Sequence, residues 1–174
     1  MSKFKRATAA ALTIAAAVGA TVAIAPTADA AVSWKCSTSS RSIDDLGYDG
    51  PWPDNWDVTV RNCAARSGGY VYSYSKVSWD APANYAGATY TFNSAYFRQY
   101  VKKSNGSVAG YATRDVEYRL EHGSVYTGNG SFTTPTIKRY VGSGRAYGDG
   151  TLKLDWYNDG RGSVNYEFAG SPSV

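Results

Sequence analysis

Apolar and polar residues alternate with a period of two through most of the chain, the pattern of strands buried on one face and wet on the other. A first regular strand is predicted over Val58 to Cys63. Tyr70, Tyr72 and Tyr74 then share one face, while Val71, Ser73, Ser75, Val77 and Trp79 share the other. Tyr90, Phe92, Tyr96 and Tyr100 alternate in the same way through a longer run, with a bend near Asn93-Ser94. From Asp115 to Glu121 the residues Val116, Tyr118 and Leu120 point one way, and Asp115, Glu117, Arg119 and Glu121 the other, which predicts an amphipathic strand. Ile137 and Val141, then Leu152, Leu154 and Trp156, then Val164, Tyr166 and Phe168 repeat the theme.

Turn signals separate these runs: Ser104-Asn105-Gly106, His122-Gly123, Gly128-Asn129-Gly130, Gly142-Ser143-Gly144 and Asn158-Asp159-Gly160. Asn-Gly and Asp-Gly steps tolerate the positive φ of tight hairpins, so the strands are expected to be antiparallel neighbours. Roughly seven to eight short strands at this spacing, without a sustained helical period, predict an all-β fold, an antiparallel β-sandwich or small barrel.

The N-terminal part follows other rules. Lys3, Lys5 and Arg6 precede an apolar stretch from Ala7 to Ala25, and Ala28-Asp29-Ala30 has the small-x-small pattern that signal peptidases cut. Residues 1–30 therefore read as a signal peptide, and the protein is expected to be secreted and extracellular. So alanine-rich a leader is typical of high-GC bacteria. Residues 31–57 show no period and are expected to form an irregular arm ahead of a β-sandwich domain over residues 58–174. Cys36 and Cys63, the chain's two cysteines, read in an oxidising compartment as one disulfide pinning that arm. Such a loop closure contributes about 3 to 4 kcal/mol. Two free thiols, or half a metal site, are the alternative.

Removing the leader takes away Lys3, Lys5, Arg6 and Asp29 and lowers the formal net charge from +4 to +2. The remaining basic pairs, Lys102-Lys103 and Lys138-Arg139, are too short to track phosphates, so nucleic acid is not an expected partner. No later segment approaches the run of about 20 apolar residues that a membrane helix needs. A membrane is not an expected partner either.

Catalytic patterns are thin. The one histidine, His122, stands at an apparent turn, and no Gly-x-Ser-x-Gly elbow occurs. On a strand, Glu117 and Glu121 would lie roughly 13 Å apart, too far for glycoside hydrolysis, and Asp115 with Glu117 fits a solvated face. Asp155, Asp159 and Gly160 suggest a calcium loop, but Tyr157 and Tyr166 occupy ligand positions. Asp44, Asp45, Asp49, Asp54 and Asp57 crowd the arm without calcium-loop spacing. No enzyme activity, cofactor or metal is expected.

Fifteen Tyr and five Trp are the compositional excess. Rings with a polar edge anchor protein interfaces and stack on sugars. Trp79, Tyr118 and Trp156 are expected in the core. Trp34, Trp52 and Trp56 on the arm, with Tyr70, Tyr72 and Tyr74 opposite an already apolar face, are the expected partner-binding residues. Other secreted proteins are the first partner class and polysaccharide the alternative; a third reading is an inhibitor of a secreted hydrolase that uses the loop Asp49 to Trp56.

The leader, the cysteine pair bracketing an N-terminal arm, the run Asp155 to Gly170 with its Asn158-Asp159-Gly160 turn, and the Gly170-Ser171-Pro172 tail give the chain a recognisable layout. In this layout it resembles the adaptor subunits of the umbrella toxin particles of actinobacteria, secreted assemblies that antagonise competing bacteria. The resemblance implies a non-enzymatic connector in an extracellular toxin complex. Its arm around Trp34 to Cys63 would insert into a lectin-like subunit, while the sandwich grips a larger repeat-containing subunit.

Overall fold

Nine strands and one short helix account for the regular structure in the computed structural model, which describes residues 32–45, 47–52, 54–85, 90–124 and 126–174. The signal peptide expected over residues 1–30 lies outside the described residues. The elements are β1 (Lys35–Ile43), β2 (Trp56–Ser67), β3 (Tyr70–Asp80), β4 (Phe92–Lys103), β5 (Val108–Asp115), α1 (Glu117–Glu121), β6 (Gly130–Thr133), β7 (Ile137–Tyr140), β8 (Ala146–Trp156) and β9 (Val164–Glu167). A single 3-10 turn at Ala83–Tyr85 follows β3. Among the described residues no helix is long and apolar enough to cross a membrane.

The strands form two antiparallel sheets, a sandwich and not a closed barrel. The first sheet has the order β1-β2-β3-β6, with β7 also on β3; the second has the order β5-β4-β8-β9. β6 and β7 occupy the same edge of β3, one beside Lys76–Trp79 and the other beside Tyr70–Ser73. Pro135 explains the interruption, because it has no N–H to donate to a ladder. Thr134 spans the gap instead: its Oγ1 accepts from Ser75 N at 2.9 Å, and its own N–H donates to Ser75 O at 2.9 Å.

The expected alternation holds in β3 and β8. Val71, Val77 and Trp79 of β3 are buried, as are Leu152, Leu154 and Trp156 of β8. Three expectations need correction. Residues 115–121 are not a strand: β5 ends at Asp115, and Glu117–Glu121 is a helical turn with Leu120 N on Val116 O at 2.9 Å. Val116 and Leu120 are four residues apart, a spacing that suits a helix face as well as a strand face, and five residues do not separate the two periods. Tyr118 consequently points outward, 72 % exposed, instead of entering the core, while Glu121 turns inward.

The second correction lies in β4, where the register against β8 slips between Phe92 and Ser94. This bulge inserts one extra residue and reverses the face of everything after it. Phe92 is buried, whereas Tyr96 is exposed and the inward positions become Ala95, Phe97, Gln99 and Val101.

The third concerns the arm. Lys35–Ile43 is a full strand, paired with β2 from Lys35↔Ala64 to Ile43↔Trp56, and of the expected arm only residues 32–34, 44–45, 47–52 and 54–55, among those described, lie outside the strands. β1 is an edge strand whose only buried residue is Ile43. It is held by backbone bonds, so its sequence carries no apolar alternation to read. The disulfide Cys36–Cys63 joins residues directly opposite each other in this pairing.

The interior has two apolar clusters. The larger surrounds Trp56, Phe92, Phe97 and Trp156; the smaller comprises Ala64, Val71, Val101, Ile137 and Ala146. Full burial of each large side chain contributes about 1.5–3 kcal/mol. Between the clusters runs a polar layer, one or two residues deep on each central strand: Asn62 of β2, Ser73 and Ser75 of β3, and Gln99 of β4. Asn62 accepts from Ser75 Oγ at 2.6 Å and donates to Ala169 O at 2.9 Å, and Gln99 Nε2 donates to Ser73 O at 2.5 Å. On β8 the layer is completed by Gly148 and Gly150, where a Cβ would lie 2.5 Å from Ser73 Oγ and 2.8 Å from Asn62 Oδ1 of the facing sheet respectively. Only glycine lets the sheets approach so closely there.

Candidate functional site

The outer face of the first sheet gathers most of the expected partner-binding residues, and register explains how. Tyr74 lies opposite Cys63, which lies opposite Cys36; Tyr72 lies opposite Ala65 on one side and Lys138 on the other; Tyr70 lies opposite Tyr140. Strand residues two apart share a face, so these form neighbouring rows on one flat surface. Trp34, just before β1, packs its ring edge-on against Tyr74 at 4.7 Å. Tyr70 and Tyr140 meet edge-on at 5.3 Å. Lys138 Nζ lies 4.2 Å from the centre of the Tyr70 ring and 5.5 Å from that of Tyr72, within cation–π range.

Beneath the rings the surface is sealed. Cys63 and Ala65 point outward by their place in β2 yet have no exposure. The rings above them keep accessible area, 38 % for Trp34, 42 % for Tyr70 and 70 % for Tyr140. Both ends of the row are fixed. The disulfide ties β1 to β2, and Arg66 donates to Gly142 O at 2.6 Å, to Val174 O at 3.2 Å and to Gly144 O, holding the loop after β7. The platform is therefore rigid before anything binds, which lowers the entropy lost on association.

The other two expected residues lie apart. Trp52 is 66 % exposed on the irregular segment. Trp56 is a correction: at 2 % exposure it cannot meet a partner, because it opens β2 and points inward against Phe92 at 5.4 Å and Tyr85 at 5.8 Å. Conversely, Lys138 and Tyr140 belong to the platform, although nothing in the sequence pattern singles them out. Their alternation in β7 was visible, but their place beside Tyr70 and Tyr72 depends on pairing across about seventy residues of chain.

Carboxylates of the acidic segment serve its own loop. Asp45 accepts from Gly47 N at 2.9 Å and from the Tyr85 hydroxyl at 3.0 Å, and Asp44 accepts from Asn55. Burial, and then Asp45, hold the Tyr85 phenol above its ordinary value. Among the described residues no group of three or more His, Cys, Asp or Glu is placed to hold a metal ion.

A concavity of about 630 Å³ lies at α1 between Trp79, Glu117, Arg119 and His122. His122 stacks on Tyr118 with ring centres 4.1 Å apart, and its Nδ1 lies 3.1 Å from Tyr118 O. Burial, then Glu121 and Asp115, raise the Glu117 carboxyl above its usual range. Glu121 faces away from this cleft, with Oε1 accepting from Thr91 N at 2.8 Å and Phe92 N at 3.1 Å. No protein-family model matches the chain, and no curated protein sequence is similar to it.

Proposed function

We propose that the chain is an exported, non-enzymatic module that binds another secreted protein through the outer face of its first sheet. The observation that carries this reading is the platform of Trp34, Tyr70, Tyr72, Tyr74 and Tyr140 around Lys138, exposed on top and covalently fixed below. Flat, pre-ordered tyrosine-rich surfaces form interface centres with little loss of side-chain entropy. In its specific form the proposal is an adaptor within an extracellular antibacterial toxin complex, the role that the layout implies.

Native mass spectrometry of the protein purified from culture supernatant tests it. A complex with a second protein subunit is expected, and Trp34→Ala combined with Tyr74→Ala should release that subunit while the thermal transition moves little. A bare monomer in the supernatant overturns the reading. Retention on chitin or cellulose that depends on the same rings would replace the protein partner with polysaccharide.

A further inference from the structure

The outer face of the second sheet, on the opposite side of the sandwich from the ring platform, carries a groove of about 360 Å³. Register arranges its lining in rows across the four strands. One row runs Thr113, Arg98, Thr151, Glu167; the next contains Tyr96, Lys153 and Asn165. Three strand gaps of about 4.8 Å make each complete row about 14 Å wide. Tyr96 and Tyr100 stand two residues to either side of Arg98 on β4 and project from the same face. Thr151 points outward yet is only 8 % exposed, so the neighbouring side chains rise above it as walls.

The charges here are placed unusually. Lys102, nearby on β4, is neutralised by Asp149 at 2.5 Å, the one ion pair among the described residues. Among the described residues Arg98 and Lys153 have no carboxylate within ion-pair distance. They lie diagonally on adjacent strands, close enough for one anionic group to reach both. Arg98 is nevertheless oriented: its Nε donates to Thr113 Oγ1 at 3.1 Å, and its guanidinium lies 5.1 Å from the centre of the Tyr111 ring. Neither of its terminal nitrogens donates a hydrogen bond among the described residues, leaving a planar fork of the geometry that engages carboxylates.

The rest of the lining narrows the ligand. Asn165 and Glu167 on the β9 side offer acceptors, and Thr113, Thr151 and the tyrosine hydroxyls both donate and accept. A phosphate ion carries one or two hydroxyls, too few to satisfy such a set. Sugar hydroxyls donate and accept, and sugar rings pack on tyrosine faces. We propose that this groove binds an acidic oligosaccharide, its rings against Tyr96 and Tyr100 and a uronate carboxylate between Arg98 and Lys153.

Isothermal titration of the purified chain with tri-galacturonate, and with cellotriose as the neutral counterpart, tests the assignment. Tri-galacturonate is expected to bind and cellotriose to bind at least about tenfold more weakly, the difference that one charge-assisted fork supplies. Arg98→Gln and Tyr96→Ala should each weaken tri-galacturonate by about tenfold or more. Trp34→Ala and Tyr74→Ala, on the other face, should leave it unchanged, so this site and the protein-binding platform fail independently. Both groove residues are exposed, and near-ultraviolet circular dichroism verifies that the variants fold. Absence of tri-galacturonate binding at millimolar concentration, equal binding of cellotriose, or full affinity in Arg98→Gln overturns the proposal.

Discussion

Glu121 shows what one buried carboxylate does for the chain around it. It is 5 % exposed, and its Oε1 takes the amide hydrogens of Thr91 and Phe92 where β4 begins. Hydrogen bonds to an ionised acceptor are worth about 1.5–3 kcal/mol, and losing both leaves two buried donors unmade. Glu121→Leu should lower the unfolding free energy by about 3 kcal/mol in urea titration and speed hydrogen exchange at Thr91 and Phe92. Tyr85 gives a pH signature. Its phenol is raised above the ordinary 10.0 in the folded state, so its contribution is complete below that pH and is lost as pH rises through the folded value. The melting temperature should fall as pH rises above 10.0, and less steeply in Tyr85→Phe; equal slopes would exclude Tyr85 as a source of the alkaline loss. Residue type alone did not separate the three tryptophans of the N-terminal segment. Trp34 lies on the platform, Trp52 in solvent and Trp56 in the core, because each position depends on where β1 and β2 begin.

At the scale of elements, strands with one apolar face were readable and strands held by their neighbours were not. Tyr70, Tyr72 and Tyr74 could be placed outside because Val71, Val77 and Trp79 already filled the inner face of β3. β1 offered no such contrast. Its serines and threonines are common to loops and edge strands, and pairing with β2 is a long-range choice. The bulge in β4 and the turn of helix after β5 each reverse or redirect a face within one residue, below the resolution of a periodic pattern. β1 also sets the element most dependent on the disulfide. Replacing both Cys36 and Cys63 by Ala removes a cross-link spanning 27 residues, and should reduce stability by about 3–4 kcal/mol. Hydrogen exchange should rise first across Lys35–Ile43, and the Trp34 contact with Tyr74 should loosen with it. Uniform acceleration across both sheets would show that the cross-link acts only on the unfolded chain.

On the scale of the whole molecule, two sheets back one core and each turns a differently equipped face outward: rings around one lysine on the first, rings around two unpaired cations on the second. Neither equipment was legible as a set, since strand order decides which residues become neighbours. The polar layer through the middle of the core then has a consequence for how the sheets meet. Aliphatic surfaces dock equally well in several alignments, whereas Asn62 keeps both its bonds only when Ser75 and Ala169 stand beside it, and Gln99 Nε2 keeps its one bond only when Ser73 O does. Any other alignment buries bare amides at a cost of about 1–3 kcal/mol each. The layer thus proofreads assembly, discarding misaligned dockings before they become stable. Replacing Asn62 and Gln99 together by Leu should change the unfolding free energy by less than about 2 kcal/mol, yet yield a protein that binds hydrophobic dyes and gives broadened, multiple amide resonances.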